Sequence, residues 1–255
     1  MKEGIIEIIG KDSGPTSIIL AGIHGNERCG IEAFELILPS LKIERGRVIF
    51  GYGNPRAIEK NVRYTEINLN RMFKYDDLLS QNEKNSYEYG HAQFLKKYLN
   101  QADVLLDIHA SSNPNSRKFL ICEPNSNEIT KYLPFNLVVS GFDEVEPGGT
   151  DSYMNGVGKV GICAECGYIN DPQSTKVAEE TIRTFLIVRG HNAGKLTSDT
   201  QTYIKMYLLY ITKTNKFTLS RKFSDFDEIK KSEIIGIDGD EEITTSEDSI
   251  ILFPH

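Results

Sequence analysis

At 255 residues, with 39% hydrophobic and 25% charged side chains, the chain is long enough for one substantial core and a small appendage, in an ordinary globular balance. Its formal net charge of -7 leaves no basic footprint for nucleic acid, although a local cationic pocket is compatible with an acidic protein. No apolar run approaches the about 18 residues that span a bilayer, which argues against a membrane protein.

Met1-Lys2-Glu3-Gly4 lacks a signal-peptide pattern. A cytoplasmic location is therefore expected, with Cys29, Cys122, Cys163 and Cys166 as free thiols. The first hundred residues alternate short apolar strands with amphipathic helices, the pattern of a layered α/β protein. Strands are expected over 16–21 and 47–52. A helix over 27–41 lies between them, with Ile31, Phe34 and Leu38 at helical spacing. Asn54-Pro55 breaks the chain, and 61–73 reads as a long polar loop of the kind that carries function. A polar, mobile segment over 74–85 leads into a helix over 86–99, where Tyr87, His91, Phe94, Leu95 and Tyr98 share a face and His91 reads as a packing residue.

A strand over 102–108 ends at His109, and turn chemistry over 110–116 follows. Further strands are expected at 118–122, 136–140 and 160–165, with a Gly-, Pro- and acid-rich connection over 141–155. A helix over 174–189 opens at a Ser N-cap and closes at Gly190. From about residue 197 the character changes to short β-prone pieces at 203–212, 216–220, 232–237, 241–245 and 249–253, with a turn at 226–231 and a tight turn at Asp238-Gly239. The chain thus divides into a larger part, 1–196, and a small β part, 197–255. Cys163-Ala164-Glu165-Cys166 has CxxC spacing, but no second pair exists to complete a zinc ribbon. Its flanks read as a buried strand in which the thiols are core residues and Glu165 is the exception to be explained.

Chemistry concentrates at strand ends. Gly22-Ile23-His24-Gly25-Asn26-Glu27 follows an apolar strand and delivers an imidazole and a carboxylate three residues apart onto a turn. His109 ends another strand, and two strand ends lie side by side in a sheet whatever their separation in sequence. His24, Glu27 and His109 make a ligand set of the kind Zn²⁺ takes in hydrolytic sites, with a fourth position left for water.

His24-Gly25-Asn26-Glu27, Asn68-Leu69-Asn70-Arg71-Met72-Phe73, Asp107-Ile108-His109 and Ala164-Glu165-Cys166-Gly167 occur in an order and spacing that resembles the succinylglutamate desuccinylase/aspartoacylase family, of the zinc carboxypeptidase-like superfamily. The resemblance implies a three-layer α/β/α domain with a mixed sheet and a small C-terminal all-β domain. It implies one Zn²⁺ per chain on His24, Glu27 and His109, Glu165 as general base, Arg63 as a donor to the developing oxyanion, and Asn70 with Arg71 on a substrate carboxylate. Asn68 stands where the family usually has an aspartate that orients a ligand histidine, and its neutral amide makes the imidazole a poorer donor. The implied activity is deacylation of an N-acyl amino acid. A carboxypeptidase or amidase acting on a short peptide, and a non-catalytic zinc-binding homologue, are the alternatives, and assembly into a homo-oligomer is left open.

Overall fold

The computed structural model describes residues 4–114, 116–198 and 200–254. Asn115 of the turn expected over 110–116 lies outside the described residues, as do Met1 to Glu3, Asp199 and His255. Eight strands form one mixed sheet: β1 (Ile5–Ile9), β2 (Asp12–Ala21), β3 (Arg45–Tyr52), β4 (Val104–Ser111), β5 (Phe119–Cys122), β6 (Leu137–Ser140), β7 (Val160–Tyr168) and β8 (Thr202–Lys205). Their spatial order is β1-β3-β2-β4-β7-β5-β6-β8. The centre β3-β2-β4-β7 is parallel throughout, whereas β1 on β3 and β5 on β7 run antiparallel.

Alternation along the central strands sets up two cores. Ile19 and Ala21 of β2, Leu106 and Ile108 of β4, and Ile162 and Ala164 of β7 face helices Cys29–Ile37 and Pro172–Val188, whose Phe34, Ile182 and Phe185 are fully buried. Ile18 and Leu20, with Leu105, face the other way, against Leu95 and Leu99 of helix Tyr87–Leu99 and Met154 of helix Thr150–Gly156. The result is the three-layer α/β/α domain. On that second face Asp107, His109, Cys163 and Glu165 continue the periodicity of Leu105 toward the C-terminal ends of the strands.

Beyond β8 the chain forms a small antiparallel region. β9 (Phe217–Leu219), β11 (Ile234–Asp238) and β12 (Glu241–Thr244) make one sheet, and β10 (Glu228–Ile229) pairs with β13 (Ser249–Ile250). Asp238-Gly239 turns between β11 and β12 as expected, with Gly239 at φ 66°. Phe226 and Phe253 of this region pack on Phe119 of the main sheet.

Several local expectations are revised. β1 was not foreseen, and the strand expected over 203–212 is regular only in β8. Asn54-Pro55 starts a helix, Pro55–Lys60, instead of merely breaking the chain: Asn54 accepts a hydrogen bond from the Ala57 amide and Pro55 fills the first turn. Segment 74–85 is built around a capping box in which the Ser80 and Glu83 side chains each accept the other's backbone N–H. Part of the connection over 141–155 is the helix Thr150–Gly156, and the long helix after β7 is capped by Asp171, not by Ser174. The buried face of Tyr87–Leu99 is Glu88, Ala92, Leu95 and Leu99, while Tyr87, His91, Phe94 and Tyr98 form a half-buried aromatic row.

The turn after β2 depends on one close approach. A Cβ on Gly25 would lie 2.1 Å from the Ala57 carbonyl carbon, because helix Pro55–Lys60 rests its backbone on that residue. Gly25→Ala is expected to lower stability by about 1–3 kcal/mol through overpacking. Gly90→Ala, at a helical position with open space around it, is expected to raise it by about 0.5–1 kcal/mol. Urea denaturation of the two variants checks this, and a Gly25→Ala protein as stable as the parent would show that the turn tolerates a side chain.

Candidate active site

The parallel register pairs Ala21 with Ile108 and His109 with Glu165, so β2, β4 and β7 end side by side. In α/β sheets this edge is where ligands bind. Gly22, at φ 74°, turns the chain out of β2, and His24 and Glu27 follow on a turn closed by a hydrogen bond from the Glu27 amide to the His24 carbonyl. His109 stays within its strand. The three side chains are brought together and buried, with 4%, 3% and 2% exposure for His24, Glu27 and His109.

Their geometry is directional. His24 Nδ1 lies 2.7 Å from one Glu27 oxygen and His109 Nδ1 lies 2.9 Å from the other. On the far side of each ring, His24 Nε2 lies 3.1 Å from Asn68 Oδ1 and His109 Nε2 lies 3.1 Å from Asp107 Oδ2. Asn68 Oδ1 also accepts from the Asn70 amide, which fixes that atom as an acceptor and makes His24 Nε2 the donor. His24, so held, turns its Nδ1 lone pair toward the Glu27 carboxylate, where it has no aligned hydrogen-bond partner, whereas His109 Nδ1 is hydrogen-bonded to Glu27 Oε2 and its Nε2 is the nitrogen left without an aligned partner. The His24 Nδ1 lone pair and a Glu27 oxygen face each other at 2.7 Å, an acceptor-to-acceptor contact that a proton or a cation between them relieves. The donor set fits a divalent ion with nitrogen and oxygen preference.

Without such an ion, protons meet the same demand. Burial opposes charge on His109, yet Asp107 and Glu27 hold it well above the ordinary imidazole value. Burial lowers His24. Burial would raise Glu27, but His24 and His109 outweigh it and hold the carboxyl well below its usual range. Asp107, whose Oδ2 accepts from the Thr150 hydroxyl at 2.5 Å and lies 3.1 Å from His109 Nε2, joins the cluster without having been singled out by the sequence. Its signal was present: an acid two residues before a strand-end histidine shares that histidine's face.

Glu165 lies beside this cluster on β7, with 7% exposure and Oε2 without a hydrogen-bond partner. Burial, and then the Glu27 charge, push its carboxyl up to about 8. Arg63 donates from Nη1 to Glu27 at 2.9 Å, with its side chain 45% exposed at the cavity wall. Asn70 and Arg71 also line the cavity, but Arg71 is not free. Its Nη1 donates to the Asn70 carbonyl and its Nη2 pairs with Glu146, a partner the sequence did not reveal. Asn68 contacts His24, which settles which imidazole the aspartate-to-asparagine difference concerns. His91 is not among the residues lining the cavity.

One buried carboxylate holds the loop that carries Arg63 and Asn68. Glu88, fully buried, accepts from the Thr65, Glu66 and Ile67 amides, the Thr65 hydroxyl and the Asn54 side-chain amide. Burial would raise its pKa, but these donors, Thr65 foremost, hold it below the ordinary value. The sequence signal was a lone acid at the head of the apolar stripe Glu88, Ala92, Leu95, Leu99.

The cavity itself measures about 1360 Å³ and runs from the His24, Glu165 and Arg71 region to a wall formed by β8 and the small β region. Asp225 of that region accepts from the Ser111 hydroxyl and the Asn113 side-chain amide just beyond His109.

A three-layer α/β/α sheet with a His–Glu–His cluster at its parallel strand ends and a buried glutamate alongside defines a protein with a candidate metal centre on the wall of a cavity. The chain belongs to the succinylglutamate desuccinylase/aspartoacylase family, whose catalytic-domain model matches residues 13–188. It is 40% identical over 82 residues to a succinylglutamate desuccinylase of Pseudomonas aeruginosa, a segment that spans 29% of this chain and only 24% of that relative. It is 32% identical over 135 residues to an aspartoacylase of Xenopus tropicalis, covering 47% of this chain and 41% of that one. The fold is similar to the crystal structure of succinylglutamate desuccinylase from Vibrio cholerae, with a TM-score of 0.83 at 18% identity, over 99% of this chain and 81% of that one. No helix among the described residues is long and apolar enough to cross a membrane.

The elevated Glu165 carboxyl has a sign that can be checked. A carboxyl raised on folding contributes stability that is fully present below its ordinary value of 4.5 and is lost as pH rises through about 8. His109, also raised, adds a loss of the same sign in both proteins compared. Denaturation midpoints of the metal-stripped protein are therefore expected to fall across this window, and Glu165→Gln to flatten the slope. Identical slopes for parent and variant would show that Glu165 ionises normally.

Proposed function

We propose that this chain is a zinc-dependent amidohydrolase that removes the acyl group from an N-acyl amino acid. The observation that carries this reading is the convergence of His24 Nδ1 and His109 Nδ1 on the Glu27 carboxylate, with Glu165 buried alongside. One Zn²⁺ per chain would be held by His24, Glu27 and His109. When bound, it supplies Lewis acidity, drawing down the pKa of a water and polarising a carbonyl.

The remaining work falls to the chain's own side chains. Glu165 takes the proton of the attacking water and returns it to the leaving amine; burial raises its carboxyl, and a dication at the neighbouring centre would lower it toward the ionised form a base needs. Arg63, part exposed at the cavity, donates to the oxygen on which charge develops. Asn70 and Arg71 orient the substrate by its carboxylate, with Glu146 as the group that the substrate displaces from Arg71. Asn68 and Asp107 fix the imidazoles, so that both Nδ1 atoms stay directed at the centre. The catalytic part, 1–196, is completed by the β part, 197–255, which walls the cavity and whose first strand joins the central sheet. The partner is a small molecule, taken from water at neutral pH in the cytoplasm.

A panel of N-acyl amino acids and short peptides, assayed with zinc and after chelation, tests the proposal. Zinc-dependent release of the amino acid, with peptides slower, is the expected result. Hydrolysis that survives chelation, or a preference for peptides, would overturn it. Glu165→Gln is expected to lower kcat by about 10² to 10⁴ with zinc content unchanged. His109→Ala is expected to lose the zinc itself. A Glu165→Gln protein retaining more than about a tenth of the activity would remove the general-base role.

Arg71→Lys keeps the charge and loses the planar fork. It is expected to lower kcat/KM by about tenfold to a hundredfold on the carboxylate substrate, and to add little on the same substrate amidated at that carboxylate. Equal losses on both compounds would show that Arg71 does not read the carboxylate.

A further inference from the structure

We propose that the amino acid released by this site carries a large apolar side chain, which lies along a row of four side chains crossing the sheet: Cys163, Ile121, Val139 and Ile204. This rests on the deacylase reading above and on the place given there to Arg71; the row itself rests on strand register. β7 pairs Cys163 with Ile121 of β5, β5 pairs Ile121 with Val139 of β6, and β6 pairs Val139 with Ile204 of β8. Cys163 is in turn the partner of Asp107 on β4, so the row starts at the candidate metal centre and leads away from it. At the spacing of neighbouring strands its three steps cover about 14 Å. All four side chains border the cavity, and Phe142 and Met206 pack against the same apolar cluster.

The row lies on the side of the cavity that reads the carboxylate. Asn70 Oδ1 accepts from the Thr150 amide, and Asp151, the next residue, is close enough to act on the Cys163 thiol. Arg71 pairs with Glu146, whose amide donates at 2.8 Å to the carbonyl of Phe142, a residue packed on the row's cluster. In an amino acid the side chain and the carboxylate leave the same carbon. A carboxylate held by Asn70 and Arg71 therefore brings that side chain to the row, while the acyl group lies across the scissile bond.

Charge excludes an acidic side chain there. Asp151, buried, and Asp143, close enough to act on it, border the cavity on this side. Among the described residues the lysines and arginines that line the cavity are Arg63, Arg71, Lys205 and Lys230, and they already pair with Glu27, Glu146, Glu144 and Asp248 in turn. With Arg71 taken by the substrate's first carboxylate, a second would meet acids and no uncommitted cation, at the cost of an unpaired buried charge. The row offers carbon and one thiol whose proton burial holds in place, and an alkyl or aryl group gains there by leaving water.

The test keeps one acyl group, acetyl, and varies the amino acid: phenylalanine, norleucine, alanine, aspartate and lysine, each acetylated on its α-nitrogen. Zinc-loaded full-length protein is assayed for hydrolysis, and binding of the same compounds to Glu165→Gln is measured by calorimetry, which needs no turnover. The phenylalanine and norleucine compounds are expected to exceed the alanine one by about tenfold to a hundredfold in kcat/KM and in affinity, with aspartate below alanine. Val139→Asn is expected to cut the phenylalanine-to-alanine ratio by about tenfold. Ile204→Asn, half-buried on the edge strand, is expected to cut it by about threefold and serves should the first variant fail to fold. A phenylalanine compound no better than alanine or aspartate, or a ratio unchanged in the folded variants, overturns the inference. A lysine compound better than norleucine also overturns it, by assigning the side chain to Asp143 and Asp151. If none of the compounds is cleaved while Glu165→Gln binds them in the expected order, the deacylase reading falls and the apolar subsite stands; if none binds, both fall.

Discussion

The parallel pairing of β2, β4 and β7 is the constraint on which everything else here depends. It aligns Ala21 with Ile108 and His109 with Glu165, and thereby gathers onto one sheet edge residues that are up to 141 positions apart in the chain. Burying two imidazoles and three carboxylates is costly by itself, since an unpaired ion in a low-dielectric interior is strongly disfavoured. The sheet tolerates them because its opposite face and flanks are apolar throughout, from Phe34 and Ile108 to Ile182 and Phe185. Mutual pairing absorbs most of the remaining charge. What pairing among the side chains does not absorb is the surplus His24 Nδ1 lone pair, which faces the Glu27 carboxylate at the centre of the cluster.

That surplus distinguishes the site from an ordinary buried ion-pair network. In such a network each donor finds an acceptor, whereas here Asn68 draws the His24 ring proton to the outside and leaves its Nδ1 lone pair facing the Glu27 carboxylate. An amide in place of a carboxylate behind His24 weakens this polarisation on one side only. The two imidazoles are consequently unequal: His109 is backed by a charge and His24 by a dipole. Burial dominates for His24, whereas the neighbouring charges dominate for His109.

Much of this was legible in the sequence because it resides in local pattern. His24, Glu27, His109 and Glu165 each end or follow an apolar strand, and a polar residue at the end of such a run stands out. The layered α/β fold followed from the alternation of periods, and the hairpin at Asp238-Gly239 from turn chemistry. What was not legible depends on partners distant in sequence. Glu146 was one acid among several in a Gly- and Pro-rich stretch, and it ends the short helix Phe142–Val145, 75 positions along the chain from the Arg71 it pairs with. β1 alternates too little to announce an edge strand, since Ile5, Ile6, Ile8 and Ile9 are apolar on both faces. Cys163 looked like a core thiol, and it does pack with Phe119 and Val139, yet the same side chain also borders the cavity.

The grip of Glu88 on residues 65–67 has a consequence for how this site tolerates sequence change. Apart from the Thr65 hydroxyl, the carboxylate reads main-chain amides in that loop and no side chains. Glu66 and Ile67 hold the loop from their side chains as well, Glu66 Oε2 accepting from the Tyr87 amide and Ile67 packing on the core, so Arg63 and Asn68 on either side are fixed twice over. The anchor itself sits on a different element, a turn of helix packed into the core. The positions of Arg63 and Asn68 at the cavity are thereby tied to helix Tyr87–Leu99, so a change at Glu88, which does not itself line the cavity, would reach the centre from outside it.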